Sequence, residues 1–268
     1  MRIGFIGGGV MGEAIIRGIL SKGITPSRDI FVSDINTQKC DSLKKKYDIS
    51  IAQNNQELLN NSDTIILAIK PQTLTEAVSP LKGRLSSRQL VLSIIAGVTI
   101  KSLAEELNHD LIVRIMPNTP AQIGEGMSVW TTSKKVSQEQ MATTRNILNT
   151  LGKEIYVKDE KFLDMATAVS GSGPAYILLI IESFIDAAVH IGFSRDIAKT
   201  LVLQTMLGTV KLACESDIHI AELRNMVTSP GGTTAEGLFK LEEGGIRAII
   251  SNATIATLEK AKSLGQTK

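Results

Sequence analysis

The fold of this chain is decided by residues 3–16, which read IGFIGGGVMGEAII. The first four residues predict a short apolar β-strand, and Gly7, Gly9 and Gly12 follow with the spacing G-x-G-x-x-G. Apolar residues recur from Ala14 onward, so a helix is expected directly behind the glycines. In this pattern the glycines permit a tight turn, close approach of a pyrophosphate to the backbone, and close packing of helix on strand. The anion lies on free N–H groups at the positive end of the helix.

A second feature of a dinucleotide site follows about twenty residues later, at the distance that the pattern requires. Residues 30–34, IFVSD, predict the second strand, and Asp34 stands at its end. An acidic residue in this place binds the ribose 2′-hydroxyl of a dinucleotide. With a strand before the glycines and a helix after them, the pattern predicts dinucleotide binding rather than a simple glycine-rich turn.

The composition is that of an ordinary globular protein. The 268 residues are 43% hydrophobic and 21% charged, with a net charge of +2. The basic residues are scattered, so neither nucleic acid nor a membrane surface is expected as a partner. The longest apolar run, residues 175–181, is too short to span a bilayer, and no signal peptide is expected. Cys40 and Cys214 are expected to be buried free thiols in a cytoplasmic protein.

Strand and helix patterns alternate over residues 1–158. Strands are expected at residues 3–6, 30–34, 63–69, 90–95, 111–116, 127–131 and 154–157. Helices are expected at residues 37–47, at 100–107, and from a capping box at 137–140 to a stop at Gly152. The alternation predicts a Rossmann domain with a mostly parallel, doubly wound sheet. Ligands of such sheets bind beyond the carboxyl ends of the strands, so the turns there are the candidate site.

The remaining residues, 159–268, predict an all-α domain. Helices are expected at residues 174–191, 194–215, 220–227 and 246–264. They are apolar over more of their circumference than a small isolated domain needs, which predicts a helical interface between subunits. Glu182, Asp186 and His190 share one helix face, but no HExxH-type pattern accompanies them. They are therefore expected to form the polar stripe of a mostly buried helix, and no metal site is expected.

Two glycine-rich segments interrupt the helical region. They read VSGSGPAY at 169–176 and MVTSPGGTT at 226–234, and both are expected to be turns. The second combines glycines, hydroxyl groups and free N–H groups ahead of a helix, which suits a small carboxylate. An interhelical turn with Thr233 or Thr234 as the N-cap explains the same residues, and the turn alone does not decide between the two interpretations.

The chain resembles the pyrroline-5-carboxylate reductases almost from end to end. The resemblance is carried by the glycine motif and by AIKP at 68–71, IAGVT at 95–99, RIMPNTP at 114–120, SGSGPAY at 170–176 and SPGGTT at 229–234. It implies a Rossmann domain joined to a helical dimerisation domain, with dimers or pentamers of dimers. It also implies reduction of the cyclic imine 1-pyrroline-5-carboxylate to L-proline, the last step of proline biosynthesis, with NADPH or NADH.

The glycine pattern and the resemblance together give the candidate site residues. Cofactor binding is expected at Ile6, Gly7, Gly8, Gly9, Val10, Met11, Gly12, Ser33, Asp34, Ala68, Ile69, Lys70, Pro71, Ala96, Gly97 and Asn118. Binding of the substrate carboxylate is expected at Ser229, Gly231, Gly232, Thr233 and Thr234. The resemblance implies that the Thr234 hydroxyl reaches the imine nitrogen and acts as the catalytic group. A protonated imine is already a good electrophile, so no conventional general acid is assigned.

The choice between cofactors is left open by the sequence. Asp34 favours NADH, because a carboxylate repels the 2′-phosphate of NADPH. Ser33, Asn36, Thr37 and Lys39 lie close enough in sequence to accommodate a phosphate. Both cofactors are therefore expected to work.

Three other functions are alternatives. A β-hydroxyacid dehydrogenase has the same order of domains but needs a lysine behind the second glycine turn, and residues 162–198 contain none. A cofactor-binding regulator without catalysis, or a reductase of another cyclic imine, fits the same motifs. A ring that differs by one methylene is distinguished by only about 1–3 kcal/mol in a pocket, so the sequence does not separate these substrates.

Overall fold

The structure is a computed structural model that describes residues 1–266. It divides into two compact units. Of the described residues, the first unit comprises residues 1–172 and 257–266, and the second comprises Gly173–Ala256.

An eight-stranded sheet organises the first unit, in the order β3-β2-β1-β4-β5-β6-β7-β8. The strands are β1 Ile3–Ile6, β2 Ile30–Ser33, β3 Ser50–Ile51, β4 Thr64–Leu67, β5 Leu90–Ser93, β6 Ile112–Met116, β7 Gly126–Thr132 and β8 Gly152–Tyr156. All neighbouring strands pair in parallel except β6 and β7, which are antiparallel. The predicted mostly parallel, doubly wound sheet is confirmed.

Along the chain the helices of the first unit alternate with these strands, and the last helix given below follows β8. They are α1 Val10–Ser21, α2 Thr37–Tyr47, α3 Asn55–Asn60, α4 Leu74–Val78, α5 Ile100–Leu107, α6 Gln138–Leu148 and α7 Lys161–Ala166. The bounds predicted for α2 and α5 agree with the structure. No sequence pattern indicated β3, α3 or α4, because segments of two, six and five residues are too short for a periodic pattern.

The core of this unit has two layers, one on each face of the sheet. One layer includes Phe5, Ile16 and Trp130, and the other includes Ile6 and Leu67. The residues of β1, β4 and β5 are buried throughout. A strand covered on both faces reads as a continuous apolar run, which is why the sequence located these strands.

The predicted capping box of α6 is confirmed, but the predicted end of that helix is wrong. Gln140 N donates to Ser137 Oγ at 3.2 Å, and Ser137 N donates to Gln140 Oε1 at 3.0 Å. The helix ends at Leu148, and Gly152 begins β8 with φ 135°. A Cβ at Gly152 would collide with the backbone of Gly126, so this glycine allows close pairing of β7 and β8.

The second unit contains long helices joined by short turns. These are α8 Gly173–His190, α9 Arg195–Glu215, α10 Ile220–Met226, α11 Thr233–Glu243 and α12 Ile246–Gln266, whose residues from Thr257 belong to the first unit. The predicted turn at residues 169–176 is wrong: Thr167–Gly171 form a π-helical turn, and α8 begins at Gly173. The chain remains helical through a π-helical turn. The glycines in this segment are typical of a non-helical turn, so the sequence did not indicate a helix here.

The helices of the second unit expose large apolar side chains. Leu178 and Leu179 are 64% and 63% exposed. The segments Lys161–His190 and Arg195–Glu215 are long and apolar enough to cross a membrane by length and composition. These segments are longer than the uninterrupted apolar run of residues 175–181, because they also include polar residues while the mean hydropathy of each segment stays high. The absence of a membrane partner stays a prediction.

Two details of the helical region depart from the sequence-based expectations. Cys214 is an exposed free thiol, whereas Cys40 is buried as predicted. Cys214 lies on α9, which is largely uncovered in a single chain. The stripe of Glu182, Asp186 and His190 is exposed, and α8 contains no buried residue, so the prediction of a mostly buried helix is wrong for the described chain. Asp186 forms an ion pair with Arg195 at 2.9 Å. Over residues 1–266 no cluster of three His, Cys, Asp or Glu side chains could hold a metal ion.

Candidate functional site

Gly7 builds the turn that follows β1. Its φ is 98°, a conformation that favours glycine, and its N–H donates to Ser33 O at 2.8 Å. A Cβ on Gly7 would lie 2.5 Å from Ala68 O, so the turn passes against the end of β4. Gly12 lets α1 close on the same turn, because a Cβ there would lie 2.7 Å from Gly7 O. These contacts give the first and third glycines the structural roles that the pattern predicts.

The N-terminus of α1 is open for an anion. Gly9 is the N-cap without a side-chain cap, and a Cβ there would meet no atom of residues 1–266 within 4 Å. Glu13 N donates to Gly9 O, but the N–H groups of Val10, Met11 and Gly12 have no acceptor among the described residues. Free N–H groups at the positive end of a helix bind phosphate. The geometry therefore fits the pyrophosphate of a dinucleotide.

Asp34 is held beside this turn by main-chain donors. Gly8 N donates to Asp34 Oδ2 at 2.8 Å, and Asn36 N donates to Oδ1 at 2.9 Å. Lys39 Nζ lies 3.5 Å from Oδ2. Burial raises the pKa of the Asp34 carboxyl, but the N–H groups of Asn36 and Gly8 and the Lys39 ammonium outweigh burial and hold the pKa below its ordinary value. The carboxylate is therefore negatively charged at neutral pH, with its side chain only 10% exposed.

The ends of β4 and β5 carry the next group of predicted residues. Ala68 N donates to Ile6 O at 2.9 Å, which places residue 68 next to the glycine turn. Ile69 is half-buried, whereas Lys70 and Pro71 are exposed. The turn after β5 contains half-buried Ala96 and Gly97, and the φ of Gly97 is 74°.

Asn118, after β6, is held from two sides. Its Nδ2 donates to Ser170 O at 3.1 Å, and its Oδ1 accepts from Met127 N at 2.8 Å. Ser170 belongs to the π-helical turn. The carboxamide keeps one N–H and one acceptor position for a ligand, because a primary amide has two donors and two acceptor lone pairs.

The predicted cofactor residues thus lie at or just beyond the carboxyl ends of five strands of one sheet. These strands are β1, β2, β4, β5 and β6, which are neighbours in the sheet. β2 and β4 flank β1 on opposite sides, so the strand order reverses at the glycine turn. Such a reversal is where open α/β sheets bind ligands.

In the second unit, the predicted substrate residues form a tight turn. Gly232 N donates to Ser229 O at 3.0 Å, and Gly231 has φ 67°. Pro230 precedes this glycine, so residues 229–232 have the pattern of a type II β-turn. A Cβ on Gly232 would collide with Ser229 Oγ, so the glycine leaves room for the serine hydroxyl.

Helix α11 begins directly after this turn. Its N-cap is Gly232, so the alternative with Thr233 or Thr234 as N-cap is wrong. Over residues 1–266 the N–H groups of Thr233 and Thr234 have no acceptor, and the Ser229 and Thr234 hydroxyls make no hydrogen bond. These unpaired donors form a small nest at the N-terminus of a helix of 11 residues. The nest fits the carboxylate of a small substrate.

One buried ionic cluster was not predicted from the sequence. Arg114, in the middle of β6, is 5% exposed at its side chain and pairs with Glu160 and Asp164. The sequence contains one indication of this cluster, a single arginine inside the apolar strand LIVRIM. A charge that is buried in such a strand must be paired, so partners for this arginine could have been expected.

Comparison with family models gives a match in each part of the chain. A model described as "Pyrroline-5-carboxylate reductase dimerisation" matches residues 160–264. A model described as "NADP oxidoreductase coenzyme F420-dependent" matches residues 2–97.

Individual relatives match over nearly the whole length. The chain is 39% identical to the pyrroline-5-carboxylate reductase of Synechocystis sp., covering 99% of each chain. It is 38% identical to that of Escherichia coli, covering 99% of this chain and 98% of the relative. The structure of a pyrroline-5-carboxylate reductase from Coxiella burnetii matches with a TM-score of 0.91 and 35% identity over 99% of each chain. A pyrroline carboxylate reductase from Plasmodium falciparum, with NADP bound, matches with a TM-score of 0.90 and 36% identity over 99% of this chain and 98% of that one.

Proposed function

The chain belongs to the pyrroline-5-carboxylate reductase family, and we propose on that premise that it reduces 1-pyrroline-5-carboxylate to L-proline with NADPH or NADH. It is an oxidoreductase that acts on a C=N bond, and the reaction is the last step of proline biosynthesis. The observation that carries the proposal is 39% identity to a curated reductase over 99% of both chains.

The proposed cofactor site is the set of turns at the carboxyl ends of the strands. The N–H groups of Val10, Met11 and Gly12 bind the pyrophosphate, because they are unpaired at a helix N-terminus. Asp34 would bind the ribose, and Ala96, Gly97 and Asn118 would lie near the nicotinamide. When bound, the reduced nicotinamide supplies the hydride.

The proposed substrate site is the turn before α11. Ser229 and the N–H groups of Thr233 and Thr234 bind the substrate carboxylate, and the backbone of Gly231 and Gly232 shapes the turn. The Thr234 hydroxyl contacts the imine nitrogen and orients it or relays a proton from water. The protein's contribution is alignment of the two reactants, since the protonated imine is already electrophilic.

We propose that both cofactors support turnover and that Asp34 disfavours NADPH. The charged carboxylate at the end of β2 repels a 2′-phosphate, while Lys39, 3.5 Å from it, partly compensates. We expect Asp34→Ala to raise the ratio of kcat/KM for NADPH to kcat/KM for NADH by about tenfold, which corresponds to about 1.4 kcal/mol. Steady-state kinetics with each cofactor measure this ratio. A strong preference for NADPH that is unchanged in Asp34→Ala would contradict the proposal.

The helical region is the proposed self-association surface. Exposed apolar side chains on α8 and α9 are the supporting observation, together with the dimerisation model that spans residues 160–264. We infer that a second copy of the chain, rather than a lipid bilayer, covers them, as a dimer or a pentamer of dimers in the cytoplasm. The same proposal includes two domains, a dinucleotide-binding domain at residues 1–158 and a helical dimerisation and substrate domain at residues 159–268. The last two residues of the second range lie outside the described residues. Sedimentation of the purified protein without detergent gives the mass that tests it.

The activity is tested by following oxidation of NADPH and NADH with 1-pyrroline-5-carboxylate and identifying proline by chromatography. The six-membered cyclic imine is assayed in parallel, because the two rings differ by one methylene. We expect turnover of the five-membered ring with the higher kcat/KM. Dinucleotide binding without turnover of either imine would favour a regulator, and a higher kcat/KM for the six-membered ring would favour another substrate.

A further inference from the structure

A buried ionic cluster connects segments that surround the proposed nicotinamide end of the cofactor site. Arg114 lies on β6, and its NH1 and NH2 groups each lie 2.9 Å from a carboxylate oxygen, one of Glu160 and one of Asp164. The guanidinium is almost fully buried, whereas the two carboxylates are partly exposed. A buried charge of this kind is strongly destabilised when a partner is lost, so the cluster fixes the relative position of the elements that carry it.

Glu160 has a second contact that Asp164 lacks among the described residues. Its Oε1 also accepts a hydrogen bond from Ile100 N at 2.8 Å. Ile100 is the first residue of α5, where backbone N–H groups have no partner inside the helix. Helix α5 follows the turn that contains Ala96 and Gly97. One carboxylate oxygen therefore ties the exit of that turn to the guanidinium on β6.

The carboxyl end of β6 is contacted by the segment that follows α7. Asn118 donates to Ser170 O in the π-helical turn. A Cβ on Gly171 would lie 2.6 Å from Met116 Cε, so this turn packs closely against the end of β6. Helix α7 carries Asp164 and leads into the same turn. The turn after β5 is therefore connected to Arg114 through Glu160, whereas the end of β6 belongs to the same strand as Arg114 and is also packed against the π-helical turn.

We propose that Glu160 is a positioning residue for the reduction. It holds the Ala96 and Gly97 turn at a fixed distance from the end of β6, and thereby keeps in place the residues that would contact the nicotinamide ring. The inference rests on the proposed function, because it assigns the nicotinamide end to these turns. A displacement of about 1 Å at a reacting centre lowers the rate by up to about 100-fold, whereas overall binding energy changes little. Loss of Glu160 therefore affects kcat more than cofactor affinity.

The test compares Glu160→Ala with Asp164→Ala, since each removes one 2.9 Å ion pair with Arg114. Only Glu160→Ala also removes the acceptor of Ile100 N. We expect Glu160→Ala to lower kcat by about 10- to 100-fold, with the Kd of NADPH and the KM of the imine nearly unchanged. Asp164→Ala keeps kcat near that of the wild type despite a lower Tm. Glu160→Gln recovers most of kcat, because its amide oxygen still accepts from both donors.

A second pair of variants keeps the test decisive if Glu160→Ala fails to fold. Ile100→Pro removes the N–H group at the first helical position, where proline is well accommodated, together with the isoleucine side chain. Ile100→Ala removes the side chain but keeps the N–H group. We expect Ile100→Pro to lower kcat well below Ile100→Ala. Equal kcat losses within either pair, or a fall in NADPH affinity that accounts for the loss of activity, overturn the positioning role. A wild type without turnover on the imine contradicts the proposed function instead.

Discussion

Replacing Gly7 with alanine is expected to weaken NADPH binding by about 100-fold, at the upper end of the 1–3 kcal/mol that a strained backbone position costs. Gly7 has φ 98°, and the new Cβ would lie 2.5 Å from Ala68 O and 2.8 Å from Ala68 C. These are backbone atoms, so the turn itself must move to relieve the contact. Cofactor binding must then restore the turn, and the affinity falls. Fluorescence titration with NADPH, together with a thermal melt, measures both consequences.

Two other glycines serve as matched controls for this prediction. Gly9 has φ −67° and open space where a Cβ would lie, so Gly9→Ala should melt like the wild type but bind NADPH weakly, because the Cβ lies where the pyrophosphate approaches. Gly23 has φ 64°, and a Cβ added there would meet no atom of the described residues within 4 Å. Gly23→Ala should therefore lower Tm through backbone strain without affecting NADPH binding. Normal affinity in Gly9→Ala would show that the pyrophosphate does not lie at the N-terminus of α1.

Replacing Thr234 with alanine is expected to lower kcat/KM for the imine by about 10- to 150-fold, the equivalent of a hydrogen bond of about 1.5–3 kcal/mol to a charged group. The hydroxyl makes no hydrogen bond among the described residues and belongs to a half-buried residue in the first turn of α11. It is therefore available to the protonated imine nitrogen. Steady-state kinetics at saturating NADPH measure the loss.

Two further substitutions distinguish the contribution of the Thr234 hydroxyl to activity from that of the shape of the side chain. Thr234→Val keeps the shape of the side chain and should lose as much activity as alanine, whereas Thr234→Ser keeps the hydroxyl and should recover most of it. The Kd of NADPH should be the same in all three variants. Turnover that survives Thr234→Ala and Thr234→Val would leave the activity in place and remove the catalytic role of this residue.

The parts of the fold that could be predicted are those with a local pattern. The strand–glycine–helix sequence around Gly7 and the buried strands of the sheet follow from periodicity and glycine spacing. Asp34 was located by its distance from the glycines, and the structure adds that Gly8 and Asn36 already donate to its carboxylate. The contact with Gly8 depends on a turn 26 residues away, so no local pattern contains it.

The parts that could not be predicted depend on tertiary contacts or on backbone detail. Arg114 reaches Glu160 and Asp164 across 46 and 50 residues, and the sequence shows only an isolated charge in an apolar strand. The N-cap of α11 is a glycine because the type II turn before the helix brings Gly232 to that position. The two threonines that follow are more typical N-cap residues, so the sequence indicated them instead. Exposure of Cys214 follows from helices that lie uncovered in a single chain.

The central claim is that a hydride from the cofactor reaches the imine carbon of 1-pyrroline-5-carboxylate. The most direct measurement uses NADPH doubly deuterated at C4, with the product analysed by mass spectrometry and NMR. We expect L-proline with one deuterium on Cδ, formed in proportion to the cofactor that is oxidised. Oxidation of the cofactor without deuterium in proline, or no proline at all, would contradict the claim.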